Sequence, residues 1–149
     1  MSRTTEIIIG AGLVLLVAIV AIYSFWQSAY APDWQEIAEP AVYKDLIMVT
    51  SPLPRERVES PLIISGLARG NWYFEATFPI RLTDKDGLEL AVGYAEAKSN
   101  WMTSEYVPFE AELKFTKPGN TDEGILILEK SNASGLPEHD DEVKIIVRF

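Results

Sequence analysis

Twenty consecutive residues, Ile7 to Trp26, carry no charged side chain. As a helix rising about 1.5 Å per residue, this run covers the ~30 Å hydrocarbon core of a bilayer. It therefore divides the chain before any other residue is read. Residues 1–6 form a short cytoplasmic N-terminus and residues 7–26 one N-terminal transmembrane helix. Residues 27–46 form a linker, and residues 47–149 a domain of water-soluble character. The helix carries no ionisable side chain that would serve a transport pathway, so it is read as an anchor in the lipid bilayer.

Direction follows the flanking charge. Arg3 precedes the run, and the next Lys or Arg is Lys44. The positive-inside rule then gives a single-pass protein of the cell membrane with its N-terminus inside and the domain extracytoplasmic. Tyr23, Trp26, Tyr30 and Trp34 suit the aromatic belt at the outer interface. A second reading starts from Ala29-Tyr30-Ala31, which matches the A-x-A cleavage site of a signal peptide. Cleavage after Ala31 would give a secreted chain. The length of the run favours the uncleaved anchor, and Pro32 disfavours the cut. In the linker, Pro32 and Pro40 accompany Asp33, Glu36 and Glu39, and Trp34–Tyr43 has the composition of a short helical turn.

Charge and cysteine content narrow the chemistry. The net charge is -9 and the pI about 4.6. Nucleic acid is disfavoured as a partner, because phosphate binding needs clustered Lys and Arg. The absence of cysteine removes disulfides, thiolate catalysis and Cys-based metal sites together. The domain must hold itself together by burial.

From Ile47 onward the hydrophobic period is two, the signature of strands. In Trp72–Thr83, the residues Trp72, Phe74, Ala76, Phe78, Ile80 and Leu82 fall on one predicted core face. Tyr73 falls on the other face with Glu75, Thr77, Arg81 and Thr83. Pro79 lacks an N–H and implies a bulge or an unpaired edge. Asp84–Gly87 reads as a hairpin turn, and Leu88, Leu90 and Val92 as the return strand. Phe109–Phe115 and Val143–Phe149 alternate cleanly, while Gly124–Leu128 is a nearly continuous apolar run, as in a central strand. Ile47–Thr50 and Leu62–Ala68 complete about seven strands with no amphipathic helix among them. The fold class is all-β, an immunoglobulin-like β-sandwich.

Several pieces of this domain resemble a known family. They are Ser51-Pro52, Ser60-Pro61-Leu62, Gly66, Ala68-Arg69-Gly70-Asn71-Trp72 with Phe74-Glu75-Ala76, Asp86-Gly87, Trp101-Met102, Phe109-Glu110-Ala111 and Ser134-Gly135-Leu136-Pro137. In this order and spacing they resemble the immunoglobulin-like domain of bacterial spore-germination proteins, the module often appended to a GerM-type domain. The resemblance covers about residues 47–149. It implies a bacterial cell-envelope module with a binding or structural role, and it supplies no established catalytic residues to carry over to this sequence. In this sequence the apolar run, not a GerM-type domain, precedes the module.

Candidate sites are few. Asp84-x-Asp86-Gly87 has the start of a calcium loop, but the twelfth position is Ala95 where a bidentate Glu is needed, so it reads as a turn. Glu138, Asp140 and Asp141 sit in the densest acidic cluster and form a weak calcium candidate. The plainer reading is a solvated loop. His139 is the sole histidine, so no two-His metal site exists. Ser134, His139 and Asp140 include triad residue types without a nucleophile elbow. Asn132-Ala133-Ser134 matches a glycosylation sequon, a pattern common by chance. Exposed aromatics mark contact surfaces, and Tyr73, Trp101 and Tyr106 are the candidates for one. The expectation is a protein that is not an enzyme, carries no cofactor, and binds an envelope protein or a cell-wall polymer. The alternative is a structural or assembly subunit of an envelope complex.

Overall fold

A computed structural model describes residues 20–21 and 39–149. Val20 and Ala21 are helical. The rest of the expected transmembrane helix, residues 1–6 and most of the linker lie outside the described residues. Among the described residues no helix is long and apolar enough to cross a membrane.

A compact β unit spans Ala38–Phe149. Its strands are β1 (Ala41–Tyr43), β2 (Ile47–Ser51), β3 (Leu62–Arg69), β4 (Thr77–Asp84), β5 (Glu89–Ala97), β6 (Tyr106–Leu113), β7 (Glu123–Glu129) and β8 (Glu142–Arg148). All pair antiparallel in the order β1-β2-β3-β6-β5-β4-β7-β8. The chain is all-β here, with eight strands rather than about seven. The added one, β1, falls inside the stretch expected as linker and replaces the end of the expected helical turn. Three residues after Pro40 are too few for a period of two to show.

The eight strands form two layers, β1-β2-β3-β6 and β5-β4-β7-β8. Their strands pair with one another over one short stretch, where Glu96 and Ala97 stand opposite Glu110 and Phe109 and Lys98 N–H donates to the Pro108 carbonyl at 2.8 Å. The layers share one core, in which the Phe78 ring of β4 meets Phe109 of β6 edge-on at 5.0 Å. Trp72 and Tyr73 extend this chain of edge contacts to Phe78, at 6.4 and 5.2 Å. Edge-on aromatic pairs add about 0.5–1.5 kcal/mol each beyond burial. On the open side, the segment after Ser51 changes layers. Arg55 N–H donates to the Ile146 carbonyl at 2.7 Å and Val58 N–H to the Arg148 carbonyl at 2.8 Å, so this segment runs beside β8.

The apolar run Gly124–Leu128 is indeed central, between β4 and β8. The stretch Trp72–Thr83 is not one strand. Gly70–Trp72 forms a 3₁₀ turn, and a two-residue turn follows in which Glu75 and Ala76 both have positive φ, 51° and 63°. Phe74 and Thr77 bond each other's backbone across that turn at 3.0 and 3.1 Å. The turn reverses the facing of the two residues just before it, while Trp72 stays in the core as expected. Phe74 is exposed and Tyr73 buried, the reverse of their predicted parity. From Phe78 onward the expected core face holds. Pro79 costs no ladder bond, because β7 begins pairing with β4 only at Ile80. The bulge lies at Leu82/Thr83 instead.

Candidate functional site

Strand directions bring four connections to one end of the sandwich: residues 44–46, 70–76, 98–105 and 130–141. The chain enters β1 from the other direction, since Ala41 pairs at mid-strand with Val49 and Tyr43 with Ile47 near the loop end.

These loops are fitted together by backbone. Gly70 N–H donates to the Glu105 carbonyl at 3.2 Å, and Ser131 N–H to the Trp72 carbonyl at 2.9 Å. A Cβ on Gly70 would collide with the carbonyl oxygens of Trp101 and Thr103, so only glycine permits this approach.

Tyr106 sits at the start of β6, half-buried, in a cluster with Asp45 and Arg69. Its hydroxyl donates to Asp45 Oδ1 at 2.8 Å, and Arg69 Nη2 donates to Asp45 Oδ2 at 2.7 Å. The Arg69 guanidinium lies 4.2 Å over the Tyr106 ring. Arg69 also donates to the carbonyls of Asp45 and Ser104, tying three connections together. The Tyr106 hydroxyl, and then Arg69, hold the Asp45 carboxyl below its usual pKa, and the same bond raises that of Tyr106.

Trp101 is half-buried and packs against the core. Its neighbour Met102 is 74% exposed. Phe74, in the adjoining turn, and Leu136, in the last loop, are also exposed apolar residues of this end. Tyr73 does not belong to this surface. It is 4% exposed, and its hydroxyl donates to the Val107 carbonyl at 2.8 Å. Burial pushes its pKa up.

A cleft of about 580 Å³ opens at the same end, lined by Tyr43, Glu129, Lys130, Asp140, Asp141 and Glu142. Its carboxylates already have partners. Asp141 accepts from the Tyr43 hydroxyl at 2.9 Å and from Lys44 at 3.3 Å. Desolvation would raise its pKa, but these hydrogen bonds outweigh that and lower it. Asp140 accepts from Asn132 Nδ2 at 2.7 Å, Glu129 pairs with Arg81, and Glu142 with Lys144. Glu138 stands exposed in the 3₁₀ turn Pro137–His139. Among the described residues no group of three or more acidic or histidine side chains is arranged to hold a metal ion. The calcium arrangement sought at Glu138, Asp140 and Asp141 is therefore not formed.

Ser134 Oγ does lie 2.9 Å from His139 Nδ1. Its hydrogen, however, points to Asn132 Oδ1 at 2.5 Å. His139 must then donate through Nδ1, which leaves it no lone pair there to take a proton from the serine. The Asp140 carboxylate bonds Asn132 rather than the imidazole. The trio closes a loop and does not assemble a nucleophile.

Sequence reasoning picked out Trp101 and Tyr106, which the fold brings to one end. It missed Asp45, Arg69 and the exposed Leu136, and it placed Phe74 in the core. Asp45 and Arg69 meet only through turn geometry, with Lys44 and Asp45 both at positive φ. No curated protein and no solved structure matches this chain. A family model does, over residues 46–135, more than half of the chain. The match runs from the residue before β2 through the Asn132–Gly135 turn, and β8 completes the second layer beyond it. The chain belongs to the family of the immunoglobulin-like domain of bacterial spore germination.

Proposed function

We propose that this chain is a non-enzymatic binding module of the bacterial cell envelope, held at the membrane by residues 7–26, that contacts an envelope protein or a wall polymer through the loop end. The observation that carries this reading is three exposed apolar residues, Met102, Phe74 and Leu136, on three connections of this one end. Isolated exposed apolar residues are ordinary, but several on adjoining loops at one end make a contact surface. The Asp45–Arg69–Tyr106 cluster supports the reading by fixing the loops that present them, which lowers the ordering cost of binding.

The test is retention of the full chain's partner from envelope extract, alongside retention of the full chain on purified wall. Wild type is expected to be retained by one of them, and Met102→Glu to lose retention at least about tenfold, equivalent to ~1.4 kcal/mol. No retention by either, or equal retention of the variant, would overturn the reading. The mass of the mature chain checks the anchor: a start at Pro32 would make the protein secreted.

A further inference from the structure

Among the described strands, most open edges are guarded: where β6 parts from β5 beyond Glu110 its freed edge carries Glu112. The outer edge of β8 is partly covered by the segment Arg55–Val58. β1 is three residues long and follows a proline. Strand β5 pairs with β4 over its length but with β6 only at Glu96 and Ala97. Below that point β6 passes beneath the inner face of β5. A Cβ on Gly93 would stand 2.8 Å from Leu113 Cδ2, so glycine there admits the crossing.

The ladder phase shows which backbone groups this leaves open. Ala97 N–H donates to the Ala76 carbonyl on the β4 side. Antiparallel alternation then aims the N–H and C=O groups of Ala91, Gly93 and Ala95 at β4. Those of Val92 and Tyr94 point the other way, where no strand among the described residues pairs with them. Their side chains lie on the outer face, 53% and 64% exposed. No charge and no proline stands between Ala91 and Ala95, which are the usual guards of an open edge.

Two features bound the open stretch. The β4–β5 register shift lies at Leu90 on one side, and pairing with β6 begins at Glu96 on the other. Gly93 is the midpoint. We infer that a second copy of this chain docks here, β5 against β5, antiparallel about a two-fold axis at Gly93. Val92 of each copy then stands opposite Tyr94 of the other. A β-branched residue facing an aromatic one is a favourable cross-strand pair, and the symmetry supplies it twice. The choice of a second copy rests on this self-complementarity and on charge. The chain carries a net charge of -9, yet the five residues Ala91–Ala95 are uncharged, so two copies meet there without opposing like charges. This surface is separate from the loop end, so its failure would leave the proposed binding function standing.

Sedimentation of the full chain in detergent tests the dimer. The wild type is expected to associate reversibly, more tightly at high salt, where repulsion between acidic copies is screened. Val92→Lys is expected to weaken association about tenfold or more, because symmetry places two lysines in one contact. Its unfolding midpoint should match that of the wild type at concentrations where both are monomeric, which separates lost docking from lost folding. The register is read by oxidative cross-linking, for which the chain has no native cysteine to interfere. A mixture of Val92→Cys and Tyr94→Cys chains should form a covalent dimer. A mixture of Val92→Cys with Ile146→Cys, an exposed position on the same layer, should not. A wild type that stays monomeric, or equal cross-linking in both mixtures, would overturn the inference. So would association that Val92→Lys leaves unchanged, or capture of some other strand at this edge in place of a second copy.

Discussion

Tyr106 donates its hydroxyl hydrogen to Asp45 across 61 residues of sequence. That bond is the largest reason the Asp45 carboxyl titrates below its ordinary range. The sign of the linkage follows. A carboxyl whose folded pKa is depressed contributes stability that is fully present above the unfolded value, about 3.9, and is lost as pH falls through the lower folded value. Asp141 behaves in the same sense. Tyr106→Phe is expected to move the Asp45 titration upward toward that ordinary value, read by NMR of the side-chain carboxyl. Because the cluster is exposed, overall stability at neutral pH should change little. An unmoved titration would show that Arg69 alone sets it. None of this network was legible in the sequence. Tyr106 stood out only as an aromatic near a loop, and its partners lie on different elements.

At the scale of elements, the turn at Glu75–Ala76 has the largest consequence for reading the chain. Alternation alone predicts one long strand across it, since the residue types on both sides keep a period of two. Two residues at positive φ, neither of them glycine, break the strand and invert the facing of Phe74 and Tyr73. Glycine is the usual marker of such a turn, and its absence hid it. Ala76→Gly is expected to stabilise the domain by about 0.5–1 kcal/mol, the left-handed cost of alanine less the added freedom of the unfolded chain. Denaturant unfolding would show this as a higher midpoint at constant slope. Elsewhere the pattern sufficed. β6 and β8 follow from alternation, β7 from its continuous apolar run, and the hairpin at Asp84–Gly87 from its residues. There Gly87 takes a positive φ of 88°, and Asp84 Oδ1 accepts from the N–H groups of Asp86 and Leu88, each at 2.9 Å. β1 was too short to read at all.

At the scale of the molecule, the two layers share a single aromatic core and no covalent staple. Phe78 touches Trp72, Tyr73 and Phe109, three of the rings that fill it. Phe78→Ala is expected to cost about 3–5 kcal/mol, a large fraction of the stability of a domain this size. The loss should appear in one cooperative transition followed by both near- and far-ultraviolet circular dichroism. Two separated transitions would mean that the layers hold independently. The overall class was readable from strand spacing and the lack of helices. The way the layers join was not, because it depends on one short pairing between β5 and β6 and on a segment that changes layers.

Strand β1 gives the molecule a mechanical character. It is the first part of the fold that tension drawn through the N-terminal side would reach. It lies antiparallel to β2 and points toward the loop end, where Tyr43 and Lys44 grip Asp141. With a partner holding the loops and the chain pulled from residue 39, the load runs along β1 rather than across it. Its hydrogen bonds and the Asp141 grip then bear the force together in shear, instead of opening one at a time like a zipper.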